Sequence, residues 1–342
     1  MKALVFHGPR SLRWEDWPDP VVGDGDVLVA VRAVGICGSD LHGYTGDSGR
    51  RIPPMVMGHE FTGEVIAPGR HGAHFQTGTR VVVRPFLHCG RCEACAAGRT
   101  NLCANRVYLG ANANGAMASR IAVPADNLLP LGDHLSFAHG TLAEPLAVAI
   151  HAARQAGDLS NRRVLVVGCG TIGLLTMIAA KRSGAAHVIA VDPKAERRQA
   201  ALAMAADAAL DPNDANFSAN LIATSRAGDI DAAFDAVGIA QTFGQCIDTI
   251  RPGGTIVAIG GWKTVPVDLS KVVSREIVVR GSFNFTPADF ATACAWLENG
   301  LIDCASLVTT TFPMTEGGRV FEDIVERRID GIKVVLVNEA ST

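Results

Sequence analysis

The stretch RRVLVVGCGTIGLLTMIAAKRSGAAHVIAVD, residues 162–192, carries the arrangement that decides the fold. Its apolar run VLVV reads as a strand buried on both faces. The run enters a turn with Gly168, Gly170 and Gly173 spaced G-x-G-x-x-G. TIGLLTMIAAKR follows with helical periodicity, and HVIAV forms a second strand that closes on Asp192. Strand, glycine turn, helix, strand and acid in this order make a dinucleotide-binding fingerprint, where the glycine spacing alone would be weak. The glycines let backbone approach a pyrophosphate at the helix N-terminus. Ile172 is expected to pack against the cofactor. Asp192 is placed to accept the ribose hydroxyls and to oppose a 2′-phosphate, which favours NAD over NADP. Cys169 fills an x position of the turn, and Lys194 and Arg198 read as a solvated helix face.

The alternation continues on both sides of this unit. Upstream, EPLAVAIHAARQAG is an alanine-rich helix at residues 144–157. Downstream come a strand in DIDAAFDAVG, a helix near FGQCIDTIR, a turn at RPGG and a strand in TIVAIGG. Strands alternating with helices predict a parallel, doubly wound sheet. The first ~140 residues have another texture, with short β-type runs (VLVAVRAVG, FTGEVI, TRVVVR) broken by Gly, Pro and Asp. They predict a mostly-β body such as a partly open barrel. After Gly281 a helix starts at Thr286, as cap, with Pro287 first. A helix near GRVFEDIVERR and a strand, KVVLV, follow.

Composition sets the outer limits. The 342 residues are 48% hydrophobic and 19% charged, with a formal net charge of −3. This suits about two globular domains and excludes a disordered chain. There is no basic stripe, so nucleic acid is not expected as a partner. No apolar run is long enough to cross a membrane, and the N-terminal residues lack the pattern of a signal peptide. A cytoplasmic protein is expected.

Four of the nine cysteines fall within HCGRCEACAAGRTNLC, residues 88–103. Cys89, Cys92, Cys95 and Cys103 have the spacing C-x2-C-x2-C-x7-C. In a reducing compartment such a cluster points to metal rather than disulfides. An iron–sulfur ligand run begins similarly, but its last cysteine precedes proline, whereas Ala104 stands here. Four thiolates close a tetrahedral zinc site and leave no position for substrate, so this zinc is structural. Ligand-type residues also occur in GICGSDLHGY (Cys37, Ser39, Asp40, His42) and GHEFTGEV (His59, Glu60, Glu64). His7, His71, His74, His134, His139 and His187 fit no motif and are assigned to the surface.

With GICGSDLH, GHEFTGEV, the four-cysteine lobe and GCGTIG in this order, essentially the whole chain resembles the zinc-containing medium-chain dehydrogenase/reductase family. The resemblance implies a GroES-like, mostly-β catalytic domain at residues 1–145, a Rossmann domain at 146–281, and a return to the catalytic domain at 282–342. It implies two Zn2+ per subunit. The catalytic one would be held by Cys37, His59 and either Glu60 or Glu144, with Asp40 behind His59. Ser39 would take the proton of an alcohol substrate and pass it through the nicotinamide ribose to His42. Arg197, Ile259, Ser282 and Phe283 would contact NAD, and Tyr44 and Asn284 would face the substrate. Classical alcohol dehydrogenases have cysteine where Glu144 stands. The chain is closer to the polyol branch of sorbitol and L-idonate 5-dehydrogenases, which carry arginine where this chain has Asn284. The implied reaction is NAD-linked oxidation of a secondary alcohol of a polyol, sugar or sugar acid by a homotetramer or dimer. A generic alcohol, butanediol or threonine dehydrogenase is the alternative within the family. A zinc-binding scaffold without activity is the alternative outside it.

Overall fold

In the computed structural model, residues 1–69, 75–225, 230–261 and 264–338 are described. His71 and His74 lie outside them. The chain divides into two units, one of Met1–Glu144 with Thr286–Thr342, the other Pro145–Phe285.

The second unit is built on a six-stranded parallel sheet. Its order is Ala208–Leu210, His187–Val191, Arg163–Val167, Ile230–Asp235, Ile250–Ala258 and Val278–Gly281. Sequence order reverses between Arg163–Val167 and Ile230–Asp235, which makes a topological switch point. The central strands are apolar on both faces because helices cover both. Val164 to Val167 and Val188 to Val191 are each at most 2% exposed. The helix Thr171–Arg182 buries Gly173, Leu174, Leu175, Thr176, Met177, Ala179 and Ala180. A Cβ on Gly173 would lie 1.7 Å from the Gly168 carbonyl oxygen, so only glycine permits this close helix–strand approach.

Two expectations shift here. RPGG is not a separate turn but lies within the strand Ile250–Ala258. Gly253 takes φ +70° and the register with Ile230–Asp235 breaks between Ile230 and Ala232, so the sheet absorbs the turn residues as a kink. The unit also runs past residue 281 to Phe285. The Ser282 N–H still donates to the Ala258 carbonyl at 2.9 Å, which carries pairing beyond the strand Val278–Gly281.

The first unit is mostly β. Its main sheet has seven strands, in the order Leu128–Pro130, Arg80–Val83, Glu60–Ala67, Asp26–Gly35, Lys333–Val337, Val308–Pro313, with Arg120–Pro124 also paired to Asp26–Gly35. Alternate residues Val27, Val29 and Val31 turn into a core with Phe61, Val81, Val83, Phe321 and Leu336. The C-terminal strand Lys333–Val337 pairs antiparallel with Asp26–Gly35. That pairing is why this unit takes both ends of the chain. Among the described residues no helix is long and apolar enough to cross a membrane.

Candidate active site and metal centres

The four-cysteine lobe is a loop wound around its own thiols. Gly90 and Gly98 adopt φ +71° and +73°, turns that fold the loop back. Cys92 opens the short helix Glu93–Ala96. The four Sγ atoms all lie within 4.8 Å of one another. Cys92 and Cys95 are 3.4 Å apart and Cys89 and Cys103 are 3.6 Å apart. Thiolates at about 2.3 Å from one zinc would be separated by about 3.8 Å, so the set fits a closed tetrahedral site with small adjustment. Backbone N–H groups of Arg91 and Cys92 favour the Cys89 thiolate and bring its pKa down to about 6.

A second donor set lies in the same unit. Cys37, His59 and Glu60 each offer a ligand atom, and these also fall within 4.8 Å of one another. Cys37 caps the helix Gly38–Tyr44. Asp40, fully buried, does three things at once. One carboxylate oxygen accepts the Cys37 N–H at 3.1 Å. The other accepts from Arg51 at 2.6 Å and faces His59 Nδ1 at 3.4 Å. Burial raises the Asp40 pKa, but the charges of His59 and Arg51 outweigh it and bring it to about 2. Arg51 also donates to the carbonyls of Gly110 and Ser39, at 3.0 and 2.7 Å. A thiol, an imidazole oriented by a carboxylate, and a carboxylate are the ligand types of a zinc centre that keeps one position open.

Glu60 and Glu144 are both buried, at 1% and 4% exposed, and each has its own partner. Glu60 is ion-paired with Lys333. Glu144, in the first turn of the helix Ala143–Gln155, accepts a hydrogen bond from the Tyr108 hydroxyl at 2.7 Å. Burial raises the Glu144 pKa to about 7, with Glu60 adding to it and His59 and Tyr108 opposing. Ser39 and His42 are three apart on the helix Gly38–Tyr44, Ser39 half-buried and His42 exposed. Tyr44, expected to face the substrate, has partners within the first unit. Its ring packs edge-on against Phe321, its hydroxyl donates to Glu322 at 2.9 Å, and it belongs to the core of the unit.

In the second unit the expected cofactor residues gather at the carboxyl ends of the parallel strands, where such sheets bind ligands. Gly168 and Gly170 precede the helix Thr171–Arg182, and a Cβ on Gly170 would meet nothing within 4 Å. Ile172 is half-buried in its first turn. The Asp192 carboxylate is held by the N–H groups of Cys169 and Lys194, at 2.8 and 2.9 Å, and Arg197 lies 4.0 Å away. Ile259 follows the strand Ile250–Ala258, and Ser282, Phe283 and Asn284 follow Val278–Gly281. Ser282 Oγ and Asn284 Nδ2 are buried without a hydrogen-bond partner, and Asn284 takes φ +51°. An open glycine turn, a held acid and polar atoms that still need partners fit a nicotinamide dinucleotide.

Comparison with known proteins agrees with this geometry. Residues 23–133 match the alcohol dehydrogenase GroES-like domain, and residues 171–299 match the zinc-binding dehydrogenase domain. The chain is 32% identical to L-galactonate-5-dehydrogenase of Escherichia coli strain K12, over 96% of both chains. It is 31% identical to sorbitol dehydrogenase of Bacillus subtilis strain 168, over 98% of this chain and 97% of the relative. The crystal structure of L-idonate 5-dehydrogenase from Escherichia coli superposes with a TM-score of 0.88 at 29% identity, covering 98% of this chain and 97% of that one. The chain belongs to the zinc-binding alcohol dehydrogenase family. It is an oxidoreductase acting on CH–OH groups with zinc and a nicotinamide cofactor, in the polyol dehydrogenase branch of that family.

Three residues around the donor set stand outside every sequence motif. Arg51 lies in no motif, Tyr108 follows the cysteine lobe without a ligand pattern, and Lys333 reads as the first residue of a strand. Only a lysine heading an otherwise apolar run, KVVLV, hinted that a buried charge would need a partner.

Proposed function

We propose that this dehydrogenase oxidises a secondary hydroxyl of a polyol, sugar or sugar acid to the ketone, with NAD as hydride acceptor. The observation that carries the reading is the Cys37, His59 and Glu60 donor set, its histidine and glutamate buried, with a second buried carboxylate, Glu144, near both. The named relatives support the substrate class, since they are dehydrogenases of L-galactonate, sorbitol and L-idonate. Bound zinc would supply a Lewis acid that eases loss of the alcohol proton near neutral pH, and NAD would take the hydride.

The chain's own residues would do the rest. Asp40 fixes the ring of His59. Ser39 accepts the alcohol proton, and exposed His42 releases it to solvent. Glu144 meets a further hydroxyl of a polyhydroxylated substrate. Ser282, Phe283, Ile259, Ile172 and Arg197 contact the dinucleotide, and Asp192 selects NAD over NADP. Cys89, Cys92, Cys95 and Cys103 hold the structural zinc. The protein works in the cytoplasm as a homotetramer or dimer. Val278 and Val279, 41% and 44% exposed on the edge strand Val278–Gly281 of the second unit, support self-association.

Metal analysis with a ligand variant tests the centre. The protein should hold two zinc ions per chain. Cys37→Ser should hold one, lose turnover by at least about a thousandfold, and still show energy transfer to bound NADH. Full turnover by the one-zinc variant would rule the reading out.

A further inference from the structure

Glu60 and Glu144 are both buried beside Cys37 and His59, and their surroundings treat them differently. The Glu60 carboxylate lies within 4.8 Å of the donor atoms of Cys37 and His59, and that of Glu144 does not complete the set. Lys333 takes one oxygen of Glu60 and also donates to the Ile36 carbonyl at 3.1 Å. The pocket for this pair is carved by Gly35, where a Cβ would fall 2.2 Å from Glu60 Oε2 and 2.9 Å from Lys333 Cε. Glu144 is held by a different partner. Its Oε1 accepts the Tyr108 hydroxyl at 2.7 Å. The Tyr108 ring is fixed by its neighbours, with Phe86 edge-on at 5.7 Å and His59 at 5.2 Å between centroids.

We propose that Tyr108 is a positioning residue that tethers Glu144 away from the metal position, so that Glu60 alone serves as the carboxylate ligand and Glu144 stays available to substrate. This rests on the metal centre proposed above. Both glutamates carry the same donor group, so chemistry does not choose between them. The tether does, because a buried carboxylate that moved to the metal would leave the Tyr108 hydroxyl without an acceptor. Lys333 works in the same direction. It fixes Glu60 within reach of Cys37 and His59.

The test is metal binding, independent of turnover. Tyr108→Phe removes the hydroxyl and keeps the ring against Phe86 and His59. Zinc affinity is read by competition with a chelator, and the ligand field by the visible spectrum of the cobalt-substituted protein. Glu60→Gln should weaken the second zinc by about tenfold or more, and Glu144→Gln should leave it in place. Tyr108→Phe should alter the cobalt spectrum. Added to Glu60→Gln, it should recover most of the lost affinity, because the released Glu144 can reach the metal. Since E60Q strands the buried charge of Lys333, the series is repeated with Lys333→Met, which leaves no cation unpaired. Unchanged affinity in E60Q, or an unchanged cobalt spectrum in Y108F with no recovery in the double variant, would overturn the inference. A wild-type protein with only one zinc would overturn the centre itself, and this inference with it.

Discussion

Asp40 shows how much one side chain can decide. It is fully buried, and it accepts the N–H of Cys37, pairs with Arg51 and orients His59. Its folded pKa is depressed to about 2 from 3.8, so its stabilisation is present above about pH 4 and lost as pH falls toward 2. Asp40→Asn would leave Arg51 as a buried unpaired charge and should cost about 3–5 kcal/mol in urea unfolding near neutral pH. The variant should also lose less stability than the wild type between about pH 4 and 2. Parallel acid profiles would disprove this role. Asp192 carries a second prediction. Its carboxylate is held in place by two backbone N–H groups, so it cannot swing away from a 2′-phosphate. Asp192→Ser should narrow the NAD preference in kcat/KM by about tenfold or more, equivalent to about 1.4 kcal/mol. Equal use of both cofactors by the wild type would refute the assignment. Asp192 was legible because a motif places it at the end of a strand. Arg51, Tyr108 and Lys333 were not, because only the fold brings their partners to them. Lys333 meets the carbonyl of a residue 297 positions away.

At the level of elements, periodicity was the reliable guide. The strand Arg163–Val167, the helix Thr171–Arg182 and the capped helix Pro287–Glu298 lie where their patterns put them. The segment RPGG keeps its turn character inside the strand Ile250–Ala258, where residues 251–254 enter neither register and Gly253 takes φ +70°. The cysteine lobe was legible from spacing alone, and its physical role predicts a stability effect. It has little regular structure beyond the helix Glu93–Ala96 and a single turn at Thr100–Leu102, so its shape depends on what the thiols bind. Cys92→Ser should lower the thermal midpoint of the first unit and make it sensitive to chelators. Normal thermal stability with lost activity would contradict a structural role for the lobe.

At the scale of the whole molecule, the fold class followed from two textures in one chain, a β-rich beginning and an alternating α/β middle. The return of the C-terminal residues to the first unit matters for chemistry as well as architecture. The pairing of Lys333–Val337 with Asp26–Gly35 delivers Lys333 to Glu60, so the surroundings of the Cys37, His59 and Glu60 donor set come from both ends of the sequence. The substrate class is the central claim, and it rests on buried polar groups. A polyhydroxylated substrate offers a further hydroxyl to Glu144, a bond that a simple alkyl alcohol forgoes at about 1–3 kcal/mol. The most direct measurement is NADH formation across a panel of polyols, sugars, sugar acids and simple primary alcohols, compared by kcat/KM. Strong turnover of at least one polyhydroxylated secondary alcohol is expected, with weak turnover of primary alkyl alcohols. Good turnover of primary alkyl alcohols with none of the polyhydroxylated compounds would contradict it.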